Sequence, residues 1–170
     1  RDVVLAELVT PQLANGLGTL FGGELLALVD KAAYVAAVRY SGLPCVTANF
    51  DKVEFLEPVA LGELVSVQAR VVAVGTTSLS VRIKVDAEAL ESGNRRPVFN
   101  CFVTMVALRD GHPAPVPRFS CRNTDDCREY LIARHRRELE REHSRRLAEA
   151  VAAVEAMDEA GVRAALAEEG

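Results

Sequence analysis

One alanine-rich helical pattern followed by four long strand-like runs constrains this chain more than any other feature. Over residues 22–40, Leu25, Leu26, Val29, Ala32, Ala33, Ala36 and Ala37 recur at helical spacing and form a broad apolar face. Gly42 and Pro44 stop the pattern. So many alanines permit close approach of a backbone or a sheet. A short strand over residues 3–9 precedes the helix, and strand-like runs follow at 46–56, 64–74, 79–85 and 98–108. The clearest is Leu79, Val81, Ile83 and Val85 alternating with Ser80, Arg82, Lys84 and Asp86, the mark of a sheet with one solvated face. The last run is apolar on both faces, as expected of a strand covered on both sides or lying at a subunit interface. Strands in meander-like order imply a largely antiparallel sheet, and the simplest packing wraps it around the one helix.

At 170 residues, 49% of them hydrophobic, the chain can bury a real core in one domain and still carry an appended segment. The division falls near residue 118, giving a 1–118 domain and a 119–170 extension. DGHPAPVP, at 110–117, is a proline-rich exit, and from Thr124 a long helical pattern carries interleaved Arg and Glu that can pair along its surface. Beyond Ala148 large apolar anchors are few, as in a frayed end or one packed on a neighbour. A formal net charge of −4 gives no reason to expect a nucleic-acid surface, and interleaved acids argue the same for the basic tail. No apolar run approaches the ~20 residues needed to span a bilayer, and the first residues lack a signal-peptide pattern, so no membrane partner is expected and the reading is cytoplasmic. Cys45, Cys101, Cys121 and Cys127 contain no CxxC pair. Cys45 and Cys101 sit in apolar runs as small hydrophobes. Cys121 and Cys127, with His135, are a weak metal or redox candidate, and no metal site is assigned.

Chemistry points to NGLGTLFGGELLALVD, residues 15–30. Glycines open the helix, and Asp30 is its only acid beyond the first turn. Leu26, Ala27, Ala33 and Tyr34 lie three and four residues from Asp30, so no cation shares its face. A carboxylate so placed is either solvated by a cleft or kept for chemistry. The bland alternative makes the glycines turn devices and Asp30 a water-exposed acid. Neither GxGxxG nor GxxxxGK[ST] is present, which removes support for a nucleotide fingerprint. What remains is an amide at Asn15, free N–H groups at Gly22 and Gly23 on a helix N-terminus, and a carboxylate two turns inside. These parts suit hydrolysis of an activated acyl group, with the N–H groups stabilising an oxyanion and the carboxylate activating water. A Ser-His-acid triad has no candidate here.

Four linked segments carry a resemblance: NxxGTLFGGxLLxxxD at 15–30, VTANFDKVEFLEPVALGELV at 46–65, VGTTSLSVRIKVDAE at 74–88 and CFVTMVALRDGHPAPVP at 101–117. In order and spacing they resemble the hotdog-fold acyl-CoA thioesterases of the YciA and brain acyl-CoA hydrolase group, over roughly residues 3–117. The resemblance implies an α+β hotdog fold, an antiparallel sheet wrapped around a long central helix, here with a C-terminal helical extension. It implies hydrolysis of acyl-CoA to free acid and CoA, with Asp30 as general base or, less favoured, as nucleophile. Asn15 would place the thioester or water, and Gly22 and Gly23 would bind the oxyanion. Thr47 would flank the pantetheine arm, and the Gly75, Thr77 and Ser78 turn would meet the CoA end. No cofactor is implied beyond the CoA of the substrate. Sites shared across a homodimer are implied, assembled as a trimer of dimers in a hexamer. Many members carry a large residue shortly before the acid, where this chain has Ala27 and Leu28 and no tryptophan. Two rival readings are a non-catalytic acyl-CoA-binding sensor of the same fold and a hotdog dehydratase, though the latter normally recruits a histidine that is not placed here.

Overall fold

The apolar face read from the sequence is covered, except that Leu28 is buried on it and Leu26 is only half-buried. The computed structural model of the chain describes residues 2–168. Helix α1, Gly22–Ser41, buries Leu25, Leu28, Val29, Ala32, Ala33, Ala36 and Ala37. It packs against all five long strands: β1, Val3–Leu8; β2, Cys45–Phe55; β3, Leu64–Val74; β4, Ser78–Ala89; and β5, Asn94–Arg109. Gly42 ends α1 in the left-handed region at φ 72°, its N–H donating to the Val38 carbonyl at 2.9 Å. Glycine adopts that conformation without a Cβ penalty.

The strands form one antiparallel sheet in the order β1-β3-β4-β5-β2. Its inner face supplies Val65, Val67, Leu79, Val81, Ile83, Val85, Phe99, Val103 and Met105 to a continuous core with α1. The period-2 alternation of β4 therefore meets the small residues of the helix, and this is the hotdog architecture expected. On β5 the inner residues are buried, whereas Phe102, Thr104, Val106 and Leu108 on the other face are half-buried. The β4–β5 hairpin is longer than the sequence pattern predicts. Asn94–Pro97 belong to β5 rather than to a loop, because Ala89, Glu88, Ala87 and Asp86 pair with Asn94, Arg95, Arg96 and Pro97 in register. Arg95 also reaches across to Asp86, Nη2 to Oδ2, at 2.9 Å.

The proline-rich exit begins with a tight turn at Asp110 and Gly111, both at positive φ, and β6, His112–Pro113, folds back on β5. The contacts divide the chain after Tyr130. In the first unit, the opening turns of α2, Thr124–Glu155, lie on the outer face of the sheet: Glu129 accepts from Arg82 at 2.7 Å and pairs with Arg70 at 3.5 Å. Asn123 caps that helix by accepting from the Asp126 N–H at 2.8 Å. The second unit holds the rest of α2 and α3, Glu159–Glu168, with exposed ion pairs such as Arg145–Glu149 and Arg163–Glu159 along the helix surface. Among the described residues no helix is long and apolar enough to cross a membrane, and no cluster of His, Cys, Asp and Glu is arranged to hold a metal ion.

Candidate active site

Asp30 acquires its partner from the sheet. The Thr47 hydroxyl donates to Asp30 Oδ1 at 2.5 Å and lies 3.3 Å from Met105 Sδ. Thr47 is placed by the β2–β5 pairing, opposite Met105, and the register slips immediately afterwards, between Thr47 and Asn49. That bulge bends the edge strand next to the carboxylate. Asp30, Lys31, Tyr34, Val35, Cys45, Val46 and Thr47 line an open cleft of about 550 Å³. The acid is thus solvated by a cleft and oriented by one fixed donor. Only one of the two buried core cysteines touches it: Cys45 lines the cleft, whereas Cys101 is deep in the sheet, where burial and then the nearby Asp51 charge push its thiol up to about 12. A thiol held protonated is no nucleophile.

The N-terminus of α1 is built separately. Phe21 caps it without a side-chain hydrogen bond, so the first helical N–H groups, those of Gly22 and Gly23, meet no side-chain acceptor from the cap. A Cβ on Gly22 would sit 3.2 Å from Phe55 Cζ, tighter than an ordinary carbon contact, whereas one on Gly23 would meet nothing within 4 Å. Gly22 thus admits the Phe55 ring, and the space before Gly23 is open. Gly22, Thr19, Leu20, Phe55 and Pro58 line a second cavity, of about 310 Å³.

Asn15 organises the loop entering this helix. Its Oδ1 accepts from the Leu17 and Thr19 N–H groups at 2.9 and 3.2 Å, and its Nδ2 donates to Thr19 Oγ1 at 2.9 Å. The Leu20 N–H donates to the Val59 carbonyl at 2.8 Å and the Leu61 N–H to the Gly18 carbonyl at 3.0 Å, tying this loop to residues 56–62. Those residues are clamped from β5. Arg96 binds both carboxylate oxygens of Glu63, at 2.5 and 2.9 Å, with further bonds to Glu57 and to the Pro58 carbonyl, each at 2.9 Å. Arg96 hydrogen bonding holds the Glu63 carboxyl below the usual range against the opposing effect of burial, and the Ala60 N–H assists. Sequence reasoning missed this clamp: Glu63 lies in the 46–65 segment but was given no role, and Arg96 lies outside every segment singled out.

The chain brings Thr47 to Asp30, and Asn15 to the loop feeding Gly22. It does not bring those two groups together. Gly22 and Asp30 are eight residues apart on one helix, about 12 Å at 1.5 Å per residue. Gly75, Thr77 and Ser78 form the β3–β4 turn, with the Gly75 N–H donating to the Ser78 carbonyl at 2.7 Å, and none of them lines the Asp30 cleft.

A helix wrapped by one antiparallel sheet, with a glycine-opened N-terminus and an acid inside, is the setting of a known family. Residues 17–93 match the family model described as the thioesterase superfamily. The chain belongs to that superfamily. It is 40% identical over 117 residues, 68% of each chain, to YkhA of Bacillus subtilis strain 168, described as an uncharacterized acyl-CoA thioester hydrolase. An apo hexameric acyl-CoA thioesterase superposes with a TM-score of 0.80 at 32% identity, over 84% of this chain and 92% of that one. The acyl-CoA hydrolase of Staphylococcus aureus, solved with butyryl coenzyme A, coenzyme A and coenzyme A disulfide, superposes with a TM-score of 0.77 at 30% identity, over 89% and 94%. Alanine variants of that enzyme at an asparagine, an aspartate and a threonine have been solved, and those positions are 15 and 17 residues apart. Asn15, Asp30 and Thr47 have the same separations here.

Proposed function

We propose that the chain hydrolyses acyl-CoA thioesters, with Asp30 as general base in a site completed by a second copy of the chain. The Asp30 carboxylate takes a proton from water as the oxygen attacks the thioester carbonyl. The tetrahedral oxyanion is received by the Gly22 and Gly23 N–H groups at the end of the helix dipole. Its collapse breaks the C–S bond, and the thiolate of CoA takes the proton from Asp30, leaving free acid and CoA. Asn15 holds the carbonyl or the water. Every step uses these residues, so the proposal calls on no metal or organic cofactor. The four free cysteines agree with a reducing, cytoplasmic setting.

The observation that carries the reading is the Thr47–Asp30 hydrogen bond in an open cleft, with the oxyanion donors about 12 Å away on the same helix. One acyl carbonyl cannot touch both from a single chain. Edge strand β2 offers the remedy: its backbone edge is unpaired in the sheet, and Val46, Val53 and Phe55 on it are 47%, 38% and 54% exposed. An edge of that character is covered in a stable assembly. A second copy meeting β2 antiparallel would bring Gly22, Gly23 and Asn15 of one chain to Asp30 and Thr47 of the other. Three such dimers would make a hexamer, as the hexameric relative suggests.

The test is acyl-CoA cleavage by Asn15→Ala, by Asp30→Asn and by the two mixed after dissociation and reassembly. Each variant alone is expected to lose at least 100-fold in kcat. Random mixing restores one intact site in a fraction of the dimers, so activity should return. Full activity in Asp30→Asn refutes the base. Loss in both variants without recovery on mixing, with reassembly verified, refutes the shared site.

A further inference from the structure

Two of the four cysteines have no part in the core. Cys45 and Cys101 are buried, whereas Cys121 is exposed and Cys127 half-buried, both where the proline-rich exit becomes α2. Free cysteine is among the most buried of residue types, so thiols at the surface are to be explained by reactivity rather than packing.

The start of α2 folds the chain back on itself at this point. Asn123 accepts the Asp126 N–H through its side chain at 2.8 Å and the Cys127 N–H through its carbonyl at 3.2 Å. Asp126 answers by accepting from the Arg122 N–H at 3.2 Å and from Arg122 Nε at 2.8 Å. These reciprocal bonds resemble a capping box, and they bend residue 121, two before the cap, toward residue 127, four after it. Many helix starts are stapled by an apolar pair at nearly this spacing. Here the pair is two thiols, and they share a hydrogen bond. That bond to Cys127 is the chief reason the Cys121 thiol sits above its ordinary range, so it rests protonated.

Both limbs of the turn are fastened independently of the thiols. Before Cys121, the Tyr40 hydroxyl donates to the Arg118 carbonyl at 3.2 Å, and Phe119 stacks on Tyr130 with ring centroids 5.0 Å apart. Around Cys127, Asp126 is buried and Glu129 pairs with Arg70 and Arg82 on the outer face of the sheet. The fold therefore holds the two sulfurs together before any bond joins them. A disulfide here would close a loop of only seven residues, 121–127, and neither cysteine lines the Asp30 cleft.

We propose that Cys121 and Cys127 form a modification site, a dithiol that a low-molecular-weight disulfide oxidises to an intramolecular disulfide across the first turn of α2. The exposed Cys121, as thiolate, attacks one sulfur of the small disulfide. Its S–S bond breaks, a mixed disulfide forms on Cys121, and the departing thiolate takes up the proton Cys121 lost. Cys127 then loses its proton, attacks the Cys121 sulfur and expels the second small thiolate, which takes up that proton. Two cysteine thiols are oxidised by two electrons and one small disulfide is reduced to two thiols. The protonated state of Cys121 makes the first step slow, and contact with Cys127 makes the second fast because it is intramolecular. The product ties the exit segment to the start of α2. The inference does not depend on the role of Asp30.

The test equilibrates the full chain, at mildly alkaline pH, with graded mixtures of oxidised and reduced glutathione, alkylates the remaining thiols and weighs the tryptic peptides. Trypsin cuts after Arg118, Arg122 and Arg128, so the two cysteines part into peptides 119–122 and 123–128 unless a disulfide joins them. The joined peptides are expected from chains that run as single chains on a non-reducing gel. They should appear at a ratio of oxidised to reduced glutathione about tenfold lower for the native chain than for the chain unfolded in urea. Cys127→Ser should stop at the mixed disulfide on Cys121, while Cys45 and Cys101 stay unmodified in the native chain. Oxidation should raise Tm by a few degrees, reversed by reductant and absent in Cys121→Ser. Glutathione on both cysteines without a link, a link found only between chains, or a native chain no easier to oxidise than the unfolded one would each overturn the proposal.

Discussion

Arg96→Met measures how far the site depends on a clamp that no motif announces. The substitution keeps the aliphatic stem and removes four polar contacts, two of them to Glu63. Glu63 has a side chain only 12% exposed, and in the variant the Ala60 N–H at 2.7 Å is its remaining donor. Breaking a buried ion pair by removing one partner costs about 3–5 kcal/mol. Arg96 is 25% exposed, so water partly replaces it, and its bond to the half-exposed Glu57 is worth little. The expected loss is about 2–4 kcal/mol, or roughly 6–15 °C in Tm for a unit of this size. The pH dependence has a definite sign. Glu63 is held below its ordinary range, chiefly by Arg96, so the pair stabilises the fold above the unfolded carboxyl pKa of about 4.3 and loses that effect as pH falls through the lower folded value. The stability gap between wild type and Arg96→Met should therefore be widest near neutrality and narrow below about pH 4. Thermal unfolding followed by circular dichroism from pH 3 to 8 reads both. Adding Glu63→Gln to Arg96→Met removes the stranded charge and should recover part of the loss. A gap under about 1 kcal/mol at pH 7, or one that does not narrow in acid, would refute the assignment of the clamp.

Three shorter expectations accompany it. Thr47→Val removes the hydroxyl that donates to Asp30, and loss of a hydrogen bond to a charged group should lower kcat about 10- to 100-fold in steady-state thioester cleavage with KM little changed. An unchanged kcat would show that Thr47 does not orient the acid. Gly22→Ala places a Cβ against Phe55 and should reduce activity more than Gly23→Ala, whose Cβ meets no atom. Phe55→Leu should rescue Gly22→Ala, read by the same assay, because the clash is with the ring. Asn15→Ser keeps an oxygen acceptor for the Leu17 and Thr19 N–H groups, so its thermal unfolding should lie closer to wild type than that of Asn15→Ala, while both lose turnover. Equal stability of the two variants would mean the loop does not need the Asn15 oxygen.

The legible part of this fold is its period. Leu79, Val81, Ile83 and Val85 alternate because one face of β4 packs on α1 while the other is polar. That polar face is less solvated than the alternation predicts, with Ser80 buried, Arg82 and Asp86 half-buried and only Lys84 exposed. The alanines of α1 recur because five strands press against it. Arg95 and Arg96 broke the pattern at the start of β5 because a local window sees two charges after a polar turn. Their partners, Asp86 and Glu63, are nine and 33 residues away. Only the hairpin register makes those charges strand residues. Asp30 stood out as an acid without a cation on its helix face, but Thr47 did not stand out as its partner. That contact depends on how β2 pairs with Met105 and then bulges, which no stretch of sequence encodes by itself. Asn15 had a readable second role, since an asparagine three residues before a glycine is a common turn former, and its side chain does build the loop.

The separation between Asp30 and the N-terminus of α1 gives the proposed dimer a chemical reason. The two groups proposed to act on one carbonyl lie on the same rigid helix, eight residues apart, so no loop motion or side-chain rotation within one chain closes about 12 Å between them. Shortening the helix would destroy the apolar face that holds the sheet. Bringing in a second helix of the same sequence leaves that face intact, and two-fold symmetry then creates two sites at once. The edge proposed to carry this contact is β2, the strand that also supplies Thr47 and the exposed Val46, Val53 and Phe55. A charge placed on that edge, Val46→Glu, should therefore lower mass in light scattering and turnover together, because separating the copies would also divide each site. A monomeric Val46→Glu protein with wild-type kcat would show that one chain holds a complete site, and the division of labour between Asp30 and Gly22 would have to be abandoned.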